Sequence, residues 1–439
     1  MGSYIPSTQE ERDEMLKKIG LSSIDELHCA VAREIAVKEL KIPHGMSELE
    51  VMARMEELAA KNRVFKYTFR GAGAYNHYIP AIVKSVVSKE EFLTAYTPYQ
   101  AEISQGILQS IFEYQTEICE LTGMAVSNAS VYDGASAAGE AVAMCTDKKR
   151  KRALISASSN PMVIETVRTY CFGSGTQLEI IAEKDGQTDM EALEAALTDD
   201  VACVVTQQPN YFGMVEDCEK IAALAHEKGA KYVCHVNPIS LGLLKTPFEC
   251  GADVAVGEGQ PLGMPLAFGG PYLGFMAATQ AMMRRLPGRI VGETEDKNAE
   301  RSFVLTLQAR EQHIRREKAS SNICSNQALC ALTAAVYMAA MGEDGMRQVA
   351  QLNISKAHYA AAELCKIDGV ELKYKGEFFN EFVTRCPKDA SLIANELEKY
   401  DILAGLPMEG RDILWCVTEM NTKEQIDMLC ASLKEVCAK

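Results

Sequence analysis

Three short stretches carry side chains whose type and placement could do chemistry. The first is Val131-Tyr132-Asp133-Gly134-Ala135-Ser136, a turn feeding a helix. Gly134 allows close backbone approach, and Ser136 with the free N–H groups of a first helical turn could hold a phosphate. The same residues also read as plain helix capping. The second is His235-Val236-Asn237-Pro238, which closes the apolar run Lys231 to Cys234. His235 reads as a hydrogen-bonded strand-end histidine. The third is Gly257-Glu258-Gly259-Gln260-Pro261-Leu262-Gly263-Met264, after the apolar run Ala252 to Val256. A lysine in such a turn could form a Schiff base with a carbonyl. None stands there: no lysine lies between Lys245 and Lys297.

Further polar groups cluster in loops. Arg70 to Tyr78 and Tyr96 to Gly106 are dense in aromatic, amide and hydroxyl groups, among them Tyr96, Tyr99 and Gln100. Such loops are either surface loops or convergent site loops. Arg310 to Cys324 joins basic side chains to Ser320-Ser321-Asn322, read as a helix start, or as a charged helix followed by a cap. Neither Gly71-Ala72-Gly73 nor Gly257-Glu258-Gly259 completes the GxGxxG of a dinucleotide site.

The elements that must position these groups alternate. Apolar β-rich runs occur at Ala153 to Ile155, Leu178 to Ile181, Val201 to Val205, Lys231 to Cys234, Ala252 to Val256 and Tyr272 to Met276. Helical stretches such as Glu216 to Lys228 separate several of them. This predicts a mostly parallel sheet covered by helices on both faces. Residues 1 to 65 read as a helical arm, with Ser47 and Glu50 as a capping box. Residues 66 to 315 read as a large α/β domain. Residues 316 to 439 read as a smaller α+β domain, with helices at Asn326 to Met341, Gly345 to Lys366 and Thr422 to Cys437.

The net charge of −15 disfavours a nucleic-acid or anionic-membrane binder, which needs a basic field. The one basic run, Lys148 to Arg152, reads as a solvated helix end. Fifteen scattered cysteines without a CxxC pair point to buried thiols in a reducing compartment. The N-terminus has no apolar signal core, and Ala328 to Met341 is too short to span a bilayer. A cytoplasmic protein is expected.

The motifs GAGAYNHYIP (Gly71 to Pro80), YTPYQAEISQG (Tyr96 to Gly106), FEYQTEICELTG (Phe112 to Gly123), Asp133 to Ala138, VGEGQPLGMPLAFGGPYLG (Val256 to Gly274) and Leu305 to Asn326 together resemble the glycine cleavage system P-protein family, on the subunit 1 side of its two-subunit bacterial form. The likeness covers essentially the whole chain. It implies an aspartate-aminotransferase-like fold, pyridoxal phosphate (PLP) fold type I, in which Gln260 or Pro261 stands where an active homologue carries its Schiff-base lysine. It also implies that PLP is held by subunit 2, in an α2β2 heterotetramer. There glycine is decarboxylated and its aminomethyl group passes to lipoamide on the H-protein.

On this resemblance Asp133, Gly134, Ser136, Asn160 and Asn237 line a vestigial cofactor site. Two positions depart from the usual subunit 1 pattern: Asn237 replaces an Asp, and Ser159-Asn160-Pro161 replaces a His-Pro. Fold-type-I dimers build their sites at a two-fold-like interface. Tyr96, Tyr99, Gln100, Ser320, Ser321 and Asn322 are therefore expected to reach the partner's cofactor in trans. Two rival readings are an independent PLP enzyme using an atypical lysine such as Lys245, and a non-enzymatic scaffold on the same fold.

Overall fold

The computed structural model describes residues 6–32, 34–37, 41–319 and 321–438. The chain divides into two units, 1–64 and 65–439. In the first, helices α1 (Gln9–Lys18) and α2 (Glu48–Ala59) both open on capping boxes. At α2 the Glu50 N–H donates to the Ser47 hydroxyl at 3.3 Å, and the Ser47 N–H donates to the Glu50 carboxylate at 2.7 Å. The Ser-x-x-Glu spacing predicts this reciprocal pair.

The second unit contains α3 (Gln105–Thr122), β1 (Val126–Ser127), α4 (Gly134–Cys145), β2 (Arg152–Ser156), α5 (Pro161–Ser174), β3 (Gln177–Ile181), β4 (Val201–Gln208), α6 (Cys218–Glu227), β5 (Lys231–Val236), β6 (Val254–Glu258) and β7 (Gly274–Ala278). The strands form a seven-stranded sheet in the order β1-β7-β6-β5-β4-β2-β3. Strands β2 to β6 run parallel, and β7 is antiparallel to both its neighbours. The mostly parallel sheet read from the apolar runs is present.

Both faces of this sheet are buried, which is why its strands read as continuous apolar runs. Leu154, Val204 and Ala255 face one core together with Ala331, Ala334 and Tyr337. Ile155, Val205 and Val256 face the other, against Ala141, Val163 and Val167. Side chains alternate because the strand period is two, and each fully buried aliphatic contributes roughly 1.5–3 kcal/mol.

A hairpin, β8 (Ile290–Glu295) and β9 (Arg301–Thr306), leads towards α7 (Ala328–Leu364). The two helices expected between Asn326 and Lys366 are present, joined end to end in α7 across a kink. Gly342 makes the kink with φ 60° and ψ −177°, a conformation open to essentially glycine alone. A second sheet, ordered β10 (Glu371–Leu372), β11 (Glu381–Arg385), β13 (Asp412–Cys416), β12 (Leu406–Pro407), packs with α8 (Ala390–Leu397) and α9 (Lys423–Ala438) around Trp415, Phe382 and Leu429.

The basic run is solvated at Lys148, Lys149 and Lys151 but lies beyond the helix end. The helix before it stops at Cys145, and Arg152 opens β2. Arg150 donates to the Val201 carbonyl at 2.7 Å, and Arg152 pairs with Glu179 at 2.5 Å. Among the described residues no helix is long and apolar enough to cross a membrane.

Candidate functional site

The carboxyl ends of β5 and β6 and the start of α4 meet around a cavity of about 170 Å³. Asp133, Asn160, Gln207, His235, Asn237 and Glu258 supply its polar lining. Crevices at strand ends of open α/β sheets are where such folds bind ligands.

The start of α4 is already filled by carboxylates. Asp133 caps the helix, accepting from the Ser136 N–H at 2.7 Å. Glu258 accepts from the Gly134 N–H at 3.0 Å, and also from Gln260 N–H and Leu273 N–H at 3.0 Å each. Gly134 is required here: a Cβ would lie 2.7 Å from the Glu258 nitrogen. Burial pushes the Glu258 carboxyl up to about 7, against the pull of its three N–H donors. Glu258 is the last residue of β6, one step before the turn that lacks a lysine. Its signal was an acid at the buried end of an apolar strand.

Gln260 is fully buried and makes a two-sided clasp. Its Oε1 accepts from the Tyr75 N–H at 2.8 Å. Its Nε2 donates to the Tyr75 carbonyl at 2.9 Å and the Met264 carbonyl at 2.8 Å. The lysine slot is thus a structural joint, tying the 71–80 loop to the β6–β7 turn. The loop is fastened from the small sheet as well. Glu381 accepts from Ala72 N–H at 2.6 Å and from the Tyr75 hydroxyl at 2.7 Å, and Glu419 pairs with His77 at 2.8 Å. Neither Glu381 nor Glu419 is visible as a partner in the sequence.

Burial holds the Glu381 carboxyl up at about 7, despite those two donors. A raised acid keeps its proton longer in the folded chain than in the unfolded one. Its contribution to stability is therefore full below the ordinary carboxyl range and is lost as pH rises towards 7. Glu381→Gln should remove that slope, gaining on the order of 3 kcal/mol on the parent between pH 4.5 and 8. Thermal melts across this range check it, and identical pH slopes in parent and variant would contradict it.

The other residues expected at a vestigial site are occupied locally. Asn237 accepts from Ile239 N–H at 3.0 Å, capping the turn after β5. Asn160 accepts from Met162 N–H at 2.9 Å, capping α5, and its Nδ2 donates to the Ala72 carbonyl at 3.3 Å. His235 is buried at the end of β5, and the Gly134 backbone is the one hydrogen-bonding contact of its ring among the described residues. Desolvation lowers its pKa to about 4, outweighing the charge of Asp133, so it is neutral.

PLP does not fit this cavity. The α4 start that would receive a phosphate carries two carboxylates instead. The volume also lies below the roughly 300–1,000 Å³ of ordinary small-molecule sites. Lys245 offers no replacement amine: its Nζ bonds Glu219 at 2.9 Å, and it does not line the cavity. Among the described residues, no three His, Cys, Asp or Glu side chains group as metal ligands.

The candidates for action in trans lie elsewhere. Tyr96 and Tyr99 are 84% and 63% exposed, and Gln100 is exposed too. The Arg289 guanidinium sits 5.7 Å from the Tyr99 ring centre. Ile323, two residues beyond Ser321, packs beside Gly288, so both stretches flank the 288–289 segment. The Ser321 hydroxyl accepts from Ile323 N–H at 3.0 Å and supports the charged form of Glu140. Asn322 is exposed. Ser320 lies outside the described residues. The helix start expected here is displaced: α7 begins at Ala328, leaving an irregular segment in between. Of the described ones among these, none lines the cavity beside His235.

The sequence matches the family "Glycine cleavage system P-protein" over residues 2–433. It is 49% identical, over 99% of this chain and 100% of the other, to a protein of Desulfitobacterium hafniense described as "Probable glycine dehydrogenase (decarboxylating) subunit 1". A solved glycine decarboxylase (P-protein) of the glycine cleavage system, in inhibitor-bound form, superposes with a TM-score of 0.94 at 40% identity, covering 99% of this chain and 100% of that one. A NifS-like protein from Rickettsia africae shares the fold alone, with a TM-score of 0.64 at 14% identity over 85% of this chain and 99% of that one. The architecture is PLP fold type I, and the chain belongs to the glycine cleavage system P-protein family, among the members described as subunit 1 of glycine dehydrogenase (decarboxylating).

Proposed function

We propose that this chain is the member of a two-subunit glycine decarboxylase that carries no PLP of its own. The observation that carries this reading is the joint occupancy of the ancestral site. Gln260 fills the lysine slot as a clasp, and Glu258 fills the anion position at the start of α4. Subunit 2 holds PLP, which supplies the electron sink for glycine decarboxylation. The aminomethyl group then passes to the lipoyl arm of the H-protein. This chain completes the interface that shapes the partner's site, in a cytoplasmic α2β2 heterotetramer.

The exposed Tyr96 and Tyr99 support the interface assignment, because large aromatic side chains with a hydroxyl gain most by being covered at a contact. The test is purification with and without subunit 2. The chain alone should be colourless, yield no borohydride-fixed lysine adduct and release no CO2 from glycine. Co-expression should give one complex of equal stoichiometry by light scattering, with glycine-dependent CO2 release and transfer to lipoylated H-protein. A stable homodimer that ignores subunit 2 would sink the reading, and so would a reducible PLP–lysine adduct on this chain alone.

A further inference from the structure

The cavity beside His235 is closed to phosphate but is not collapsed. It retains about 170 Å³, room for several water-sized groups. Its lining includes two carboxylates, Asp133 and Glu258, and no lysine or arginine. Glu258 spends both oxygens on backbone N–H groups, but Asp133 uses only Oδ1, leaving Oδ2 without a donor among the described residues.

A second, independent observation points into the same space. His235 is 8% exposed and lines the cavity, and apart from the Gly134 backbone its ring has no hydrogen-bond partner among the described residues. Leaving a buried polar group unsatisfied costs roughly 1–3 kcal/mol, so something polar belongs beside it. The opposite wall offers donors. Gln207 uses its Oε1 to accept from Asn160 N–H at 2.8 Å, and Asn237 uses its Oδ1 for the turn after β5, which leaves both side-chain NH2 groups without a partner among the described residues.

We propose that this remodelled cavity binds a small α-amino acid zwitterion of glycine's size. Its ammonium group lies against Asp133 and the acceptor nitrogen of His235. Its carboxylate lies against the amides of Gln207 and Asn237. An ammonium group brings three donors to a wall of acceptors and neutralises charge where the cavity has no cation. A phosphorylated ligand meets the same carboxylates with repulsion. The proposal does not rest on the decarboxylase reading.

The test uses the full chain purified without subunit 2, so no PLP site can contribute. Equilibrium dialysis with radiolabelled glycine should give saturable binding at one site per chain. Methylammonium should compete, while inorganic phosphate and PLP should not. Asp133→Asn keeps a good helix cap while removing the charge, and should weaken binding about tenfold or more. His235→Phe should abolish it, with melting checked for both variants. The unmodified chain already decides the matter if a variant fails to fold. Absence of saturable glycine binding, meaning a cavity filled by water alone, overturns the proposal. So does competition by phosphate or PLP, or undiminished binding by the two folded variants.

Discussion

Gln260→Ala should destabilise the chain by on the order of 3–6 kcal/mol, since it strands one buried donor and two buried acceptors at once. These are the Tyr75 N–H, the Tyr75 carbonyl and the Met264 carbonyl. Among the described residues no other side chain bonds either backbone group of Tyr75, and Gln260 is 0% exposed, so water cannot easily replace the amide. Tyr75 and Gln260 are 185 residues apart in sequence, so the clasp closes a long loop. Its loss should loosen the whole 71–80 strap rather than one side chain. Urea titration of parent and variant measures the difference, and a loss below about 1 kcal/mol would show that the amide merely fills space. Gln260→Lys is the sharper companion. It restores an amine to the slot, but ammonium cannot accept from the Tyr75 N–H, and Glu258 still occupies the start of α4. The variant should be destabilised and still yield no borohydride-fixed PLP adduct by peptide mass mapping.

The parts of this architecture that follow from local chemistry were legible. The βα alternation, the Ser47–Glu50 capping box and the cap at Asp133 each depend on residues within one turn or one strand. The missing lysine was legible too, because an absence at a strand end needs no partner to be noticed. What replaced it was not. Glu258 meets Gly134 across 124 positions, and Glu381 meets Tyr75 across 306. Such pairs exist only once the sheet order and the docking of the small sheet are fixed. His235 is legible only in part: a strand-end histidine finds a partner, here the Gly134 backbone, but only the finished cavity shows how little else its buried ring meets. The displaced start of α7 reflects competition in the 321–327 stretch. There Asn326 donates to the Ala129 carbonyl at 2.8 Å and Gln327 N–H to the Ser130 hydroxyl at 3.1 Å. Those long-range bonds hold the backbone out of the helix that Ser-Ser-Asn alone would favour.

Tyr96→Phe and Ser321→Ala should leave the heterotetramer intact while lowering glycine decarboxylation or PLP retention by the complex. Both residues belong to stretches flanking the 288–289 segment, one presenting aromatic hydroxyls and the other short hydroxyl side chains. Tyr96 is 84% exposed in the isolated chain and has the area to wall a substrate once covered. In the isolated chain Ser321 is engaged at home, by Ile323 N–H and Glu140. A role toward the partner's phosphate therefore requires its hydroxyl to turn from a carboxylate to a better-placed anion. A charge-assisted hydrogen bond of this kind contributes about 1.5–3 kcal/mol, so its loss should weaken PLP retention roughly 10- to 150-fold. Tyr96→Phe keeps the aromatic wall and removes only the hydroxyl, so its effect should fall on turnover with assembly unchanged. Light scattering reports assembly, the cofactor absorbance after dialysis reports retention, and CO2 release reports turnover. If the two variant complexes assemble, keep PLP and turn over like the parent, these stretches contribute to the interface alone and the partner builds its site without them.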